Sequence, residues 1–167
     1  MHKFLPACIA AGAIGLSTLS ASAALSSADR EFAMKAASGG MAEVKAAQLA
    51  EQRATSPQIK QFAQRMITDH SAANTELQQI AKQADINLPS QPSGKDAAEE
   101  QKLRGLNGTG FDQAYAQGQL RDHKETVELF QKEASSGQDP ALKAFAQKTL
   151  PTLQQHLQMV EALNTKR

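Results

Sequence analysis

SPQIKQFAQRMITDHSAANTELQQIAK, Ser56 to Lys82, is the stretch whose reading decides the fold. Ser56 suits an N-cap, and Pro57 suits the first helical position, where a missing N–H costs nothing. Apolar residues then recur at Ile59, Phe62, Ala63, Met66, Ile67, Ala73, Leu77, Ile80 and Ala81. That 3.6-residue rhythm predicts an amphipathic helix. His70 falls inside the apolar stripe rather than on the wet face. Asp69 is turned about 100° away from it, the rotation of one helical residue.

Working outward, Ser26 or Ser27 is a cap for a helix from about Ala28 to Arg53. Phe32, Ala36, Ala47 and Ala50 share its inner face, and Glu43 lies on the same side. Gly39-Gly40 sits inside this helix at about 1 kcal/mol per glycine relative to alanine. Close helix packing or a break that opens space for a ligand would each explain the pair. The turn at 54–56 is so short that the two flanking helices must be antiparallel neighbours. From Asp85 to Gly110 the character changes. Leu88-Pro89-Ser90-Gln91-Pro92-Ser93-Gly94 breaks regular structure, Lys95 to Leu106 reads as a short helix, and Asn107 to Gly110 reads as a turn. A third long helix is predicted from Phe111 to about Ser135, with Asp122 and His123 flanking the middle of its apolar face. After a turn at 136–138, Asp139 and Pro140 repeat the Ser56-Pro57 start. Leu142, Ala146, Thr149, Leu153, His156 and Val160 form the last stripe, with a kink expected at Pro151. The pattern predicts an all-α fold: a four-helix bundle of two antiparallel helical hairpins joined by a long crossover.

The 167 residues are enough for one domain with a proper core. Lys and Arg total 18 against 17 Asp and Glu, a balance that gives no general electrostatic case for nucleic acid. The single Tyr and absent Trp weaken a base-stacking reading. Met1 to Ala23 reads as a signal peptide: a short basic region, an apolar run, and Ala21-Ser22-Ala23 as a small-residue cleavage site. The expectation is an exported, periplasmic domain spanning 24–167, with no membrane span once the leader is cut. Cys8, the only cysteine, leaves with it, so the mature chain has no disulfide and no thiolate ligand.

PQIKQFAQRM after Ser56 is echoed by PALKAFAQKT after Asp139, so the hairpins read as a repeat. Three histidines remain in the mature chain, His70, His123 and His156, one on each of three long helices and each on or beside an apolar face. Glu43, Asp69 and Asp122 are the acids nearest to them in pattern. Imidazole and carboxylate together suit zinc, iron, manganese or copper. They also suit acid–base chemistry near neutral pH. The competing reading is structural: pairs such as His70 with Asp122, or His123 with Asp69, would fix helix register and do nothing else. No Glu-x-x-His is present, because Ile67, Leu120 and Leu153 stand three residues before the histidines. That argues against a di-iron site of the ferritin form. No phosphate loop, dinucleotide fingerprint or nucleophile elbow occurs.

The chain resembles the DUF4142 family of exported bacterial proteins. The resemblance rests on Phe32 with Gly39-Gly40-Met41-Ala42-Glu43, Ser56-Pro57 with Phe62-Ala63-Gln64-Arg65-Met66 and Asp69-His70, Phe111-Asp112 with Tyr115, Asp122-His123, and Leu150-Pro151-Thr152-Leu153 with His156. It spans about Leu25 to Leu163 and implies a ferritin-like four-helix domain without an assigned reaction. Two functions follow as expectations. One is a periplasmic metal-binding protein using His70, His123 and His156 with Glu43, Asp69 or Asp122. The other is a non-enzymatic envelope or stress protein that binds a protein partner.

Overall fold

Five helices, not four, make up the chain in a computed structural model that describes residues 25–165. They are α1 (Ser27–Arg53), α2 (Pro57–Gln83), α3 (Gly94–Arg104), α4 (Gly108–Ser136) and α5 (Pro140–Thr165). The expected ferritin-like four-helix bundle is therefore corrected. The crossover contributes a helix of its own that packs on α1 and α4. Ser93 and Gly94 start it, and its single buried residue, Leu103, enters the core. The signal-peptide reading of Met1 to Ala23 lies outside the described residues. Among the described residues, no helix is long and apolar enough to cross a membrane.

The long helices follow the sequence pattern closely. Ser56 Oγ accepts from the Ile59 N–H at 3.4 Å, and Asp139 Oδ1 accepts from the Leu142 N–H at 2.9 Å. Each is followed by proline at the first helical position. One expectation gave way: the turn predicted at Asn107 to Gly110 is already helix from Gly108. Helix α5 continues on both sides of Pro151, whose exposed side faces water.

Pairing is strongest between α1 and α2 and between α4 and α5, so each hairpin packs on itself before it packs on the other. The hairpins are then locked end to end by two buried aspartates. Asp112, near the start of α4, accepts from the Thr55 N–H at 3.0 Å, the Thr55 hydroxyl at 2.6 Å and the Ser56 N–H at 3.0 Å. Asp29, in the first turn of α1, accepts from the Gln138 and Asp139 N–H groups at 3.0 and 3.1 Å. Each hairpin thus holds the turn of the other. Both partners are offset by the same 83 residues, Asp29 to Asp112 and Ser56 to Asp139. Burial pushes the Asp29 carboxyl up, but the N–H groups of 138 and 139 and the Ser26 hydroxyl outweigh it and hold it below the usual range.

The crossover is tied down by polar contacts. Ser38 donates to Asp96 at 2.6 Å and accepts from the Ser93 N–H at 3.1 Å. Arg53 caps the end of α3 through the carbonyls of Arg104 and Leu106. Apolar packing divides into two clusters along the axis. One gathers Ile59, Phe62, Met66, Phe111, Tyr115 and Val160. The other gathers Phe32, Leu77, Phe130, Leu142, Phe145 and Leu153.

Glu133 is buried beside Asp29, and its carboxyl is pushed up to about 7, first by burial and then by the Asp29 charge. Unfolded, it ionises near 4.5. Between those values the folded state holds a proton that the unfolded chain has lost. This contribution to stability is complete at low pH and disappears as pH rises through the window. Glu133→Gln should remove that slope, leaving the variant more stable than the parent by on the order of 2–3 kcal/mol at pH 8 and equal to it near pH 4.5. Urea melts across pH 4.5–8 read the difference.

Candidate metal centre

His70, His123 and His156 meet in the layer between the two apolar clusters. Each comes from the inner stripe of a different helix, α2, α4 and α5. All three are buried, His123 and His156 to 1% exposure and His70 to 7%. Their ring centroids lie 5.4–5.8 Å apart, and one ring nitrogen from each falls within 4.8 Å of the other two. Phe62 closes the layer on one side, its ring 6.3 Å from those of His123 and His156 and edge-on to both.

Hydrogen bonds fix two of the tautomers. His123 Nδ1 donates to the Gln119 carbonyl at 2.9 Å, which leaves Nε2 with its lone pair. His156 Nε2 lies 2.9 Å from Asp69 Oδ2. Asp69 is ionised, because Arg65 and His156 together outweigh the upward push of burial on its carboxyl. His156 therefore donates from Nε2, and its Nδ1 is the free base. His70 Nε2 has no hydrogen-bond partner among the described residues. Three buried ring nitrogens, His70 Nε2, His123 Nε2 and His156 Nδ1, are thus unpaired among the described residues. An unpaired buried polar group costs about 1–3 kcal/mol, so this layer is expensive as it stands.

The same burial keeps the rings neutral. Desolvation lowers all three imidazoles, assisted for His70 by His123 and His156 and for His123 by His156. His123 comes down to about 4. A metal competes with protons for these lone pairs, so the centre is primed for a cation at neutral pH.

The carboxylates divide. Asp69 touches the cluster from outside, as the acceptor that orients His156. Glu43 is buried, accepts from the Gln119 side-chain amide, and lies 3.8 Å from His123 Nδ1, the nitrogen that faces away from the cluster. Burial raises its carboxyl to about 8, with the Asp122 charge adding to the effect. Asp122 is half-buried and pairs with Arg121 at 3.3 Å. It lines a small cleft with Glu43, Asp96 and Glu99 rather than the histidine layer. The paired alternatives His70–Asp122 and His123–Asp69 do not form. Pattern reading also passed over Gln119, which holds both Glu43 and His123, and Arg65, which holds Asp69. The only signal for either was a spacing of four residues on one helix face. A groove of about 630 Å³ between α1, α4 and the crossover does not include the histidines.

Three neutral imidazoles without a carboxylate among them fit a transition-metal ion of the borderline kind and give nothing to magnesium or calcium. A helical protein with a buried three-histidine layer is the class that fold and site define. The chain belongs to the DUF4142 family: the model of this domain of unknown function matches residues 15–163. No curated protein matches the sequence. Among solved structures, the crystal structure of a DUF305 fragment from Deinococcus radiodurans is similar at 11% identity and TM-score 0.74, over 86% of this chain and 99% of that one. CopM in its Cu(I)-bound form is similar at 16% identity and TM-score 0.68, over 83% and 96%. CopM in its Cu(II)-bound form gives TM-score 0.63 at the same identity. At these identities the likeness is one of fold.

The neutral rings make the metal-free protein acid-sensitive. Unfolded histidine takes up a proton near 6.5, whereas His123 resists until about 4. The unfolded chain therefore binds more protons in this window, and stability is lost as pH falls through it. His123→Leu should flatten the slope, the parent losing on the order of 3 kcal/mol more than the variant between pH 7 and 4. Chemical denaturation in chelator-treated buffer measures it.

Proposed function

We propose that the protein binds a transition-metal ion through His70, His123 and His156, with copper(I) as the preferred ion, and that it does so as an exported protein outside the cytoplasm. The observation that carries the reading is the convergence of three buried imidazoles, one ring nitrogen of each within 4.8 Å of the others, in a layer where every ring also has a buried nitrogen without a partner among the described residues. Three donors around one ion at about 2.0–2.1 Å stand about 3.5 Å apart, so the layer needs to contract by about 1.3 Å. That is within reach of side-chain rotation.

Copper(I) is favoured over the divalent ions on two grounds. The cost of burying an ion rises as the square of its charge, and the three donors carry no negative charge to offset a second unit. Manganese also prefers oxygen donors, and the acids here stand outside the ring of nitrogens. CopM, of like fold, is a protein whose structure has been determined with copper bound, which supports the choice. Asp69 serves by orientation: its hydrogen bond fixes the His156 ring and raises its basicity. Export is supported by the leader-like Met1 to Ala23. With no activated nucleophile beside the histidines, binding or carriage of the ion is preferred to hydrolysis.

Titration of metal-free protein with copper(I) against a competing chelator, and calorimetry with zinc, manganese and iron(II), test the proposal. A single site is expected, with copper(I) tightest. Alanine at His70, His123 or His156 should weaken it by about a hundredfold or more, and Asp69→Asn by about tenfold. Binding no tighter than the high micromolar range for every ion would remove the metal reading and leave the three histidines as a purely structural layer.

A further inference from the structure

The two glycines inside α1 lie over the histidine layer, and they differ. A Cβ on Gly40 would fall 2.1 Å from Asn74 Oδ1 and 3.1 Å from its Cγ, so the Asn74 carboxamide lies flat against the helix there. A Cβ on Gly39 would meet nothing within 4 Å. Close packing therefore explains Gly40 and leaves Gly39 unexplained. Its cost of about 1 kcal/mol relative to alanine is offset by no contact.

What lies beneath Gly39 is a cavity of about 40 Å³. Lys35, Gly39, Gly40, Asn74, Thr149 and His70 are among its walls. It runs from exposed Lys35, held by Glu31, to buried His70. His70 lines this cavity, and among the bonds described neither of its ring nitrogens has a hydrogen bond, unlike His123 and His156. Away from this cavity the layer is covered by the Phe62 ring, while Leu153 is one of the cavity's own walls. Asn74 follows His70 by one turn of α2, on the same face.

We infer that the cavity behind Gly39-Gly40 is the route by which a metal ion reaches the three histidines, and that Asn74 is the residue that controls passage. The inference rests on the metal-binding reading above. Its volume sets a condition. A water needs about 10–15 Å³ of such space, so 40 Å³ holds only a few waters and has no room for an ion with its full hydration shell. Water must be shed at the mouth. The Asn74 carboxamide offers an oxygen acceptor there to replace one lost water, a turn short of His70. Gly40 leaves the space in which that carboxamide rests, and Gly39 keeps the passage clear.

The test follows Tyr115, the single tyrosine in a chain without tryptophan. Its fluorescence should be quenched when copper(I) fills the neighbouring layer. Stopped-flow mixing of metal-free full-length protein with copper(I) in acetonitrile-containing buffer, without oxygen, gives association rates, and chelator challenge gives release rates. Gly39→Leu places a side chain in the passage without a backbone clash. It should slow association and release together by about tenfold or more, while the dissociation constant stays within about threefold. Asn74→Ala widens the mouth and should change both rates in concert, again with little change in affinity. Matched circular dichroism and melting temperature establish that each variant is folded. If Gly39→Leu fails to fold, Asn74→Ala decides alone. Unchanged rates in the folded variants, or affinity lost with rates of association intact, overturn the route while leaving the three-histidine site standing. Absence of any quenching or chelator-competitive binding in the parent protein overturns both.

Discussion

Two aspartates decide how the hairpins stand against each other. Asp112 collects the N–H groups at the start of α2, and Asp29 collects those at the start of α5. A helical hairpin packed through alanine-rich faces has a weak register of its own, because small side chains slide past one another with little change in contact. Hydrogen bonds to a buried carboxylate are directional and costly to leave unmade. Fastened at both ends, the hairpins cannot slip by a turn, and a slip of one turn would move a ring by about 5.4 Å. The three imidazoles meet only because this register holds.

Between those fastenings the interior is not uniform. Apolar clusters fill both ends, and a polar layer interrupts them in the middle. The layer is organised rather than merely tolerated. Gln119 and Asp69 each take a proton-bearing nitrogen and so leave the opposite nitrogen bare. Glu43, neutral at physiological pH, adds no charge beside it. The protein spends stability to keep bases dry and unpaired, a pattern found where a site awaits a ligand.

Much of the architecture could be read from the chain because caps and stripes are local signals. Ser56-Pro57 and Asp139-Pro140 mark two helix starts, and the 3.6-residue stripes mark which face turns inward. The inward direction of His70, His123 and His156 followed from those stripes alone. What could not be read was depth along the axis, since a stripe gives a face and not a height. Hence Asp69 could be placed near a histidine but not assigned to His156, and Asp122, turned by one residue from His123, proved to face the crossover. The fifth helix was visible as a segment, from Lys95 to Leu106. Its standing as a packed element depends on Ser38, Arg53 and Leu103, contacts far apart in sequence.

The 83-residue offset that relates the two fastening aspartates also bears on how the centre came about. Carried across the chain, it sets Leu153 against His70, Gly40 against His123, and Ala73 against His156. No histidine of the centre has a histidine for its counterpart. The scaffold is a doubled object, while the chemistry is a singular one, written into only one member of each equivalent pair. An ancestral hairpin pairing with its own copy would have had the aspartate clasps and the helix starts already, and would have lacked any such triangle of imidazoles. The triangle of imidazoles sits wholly in what the two halves do not share.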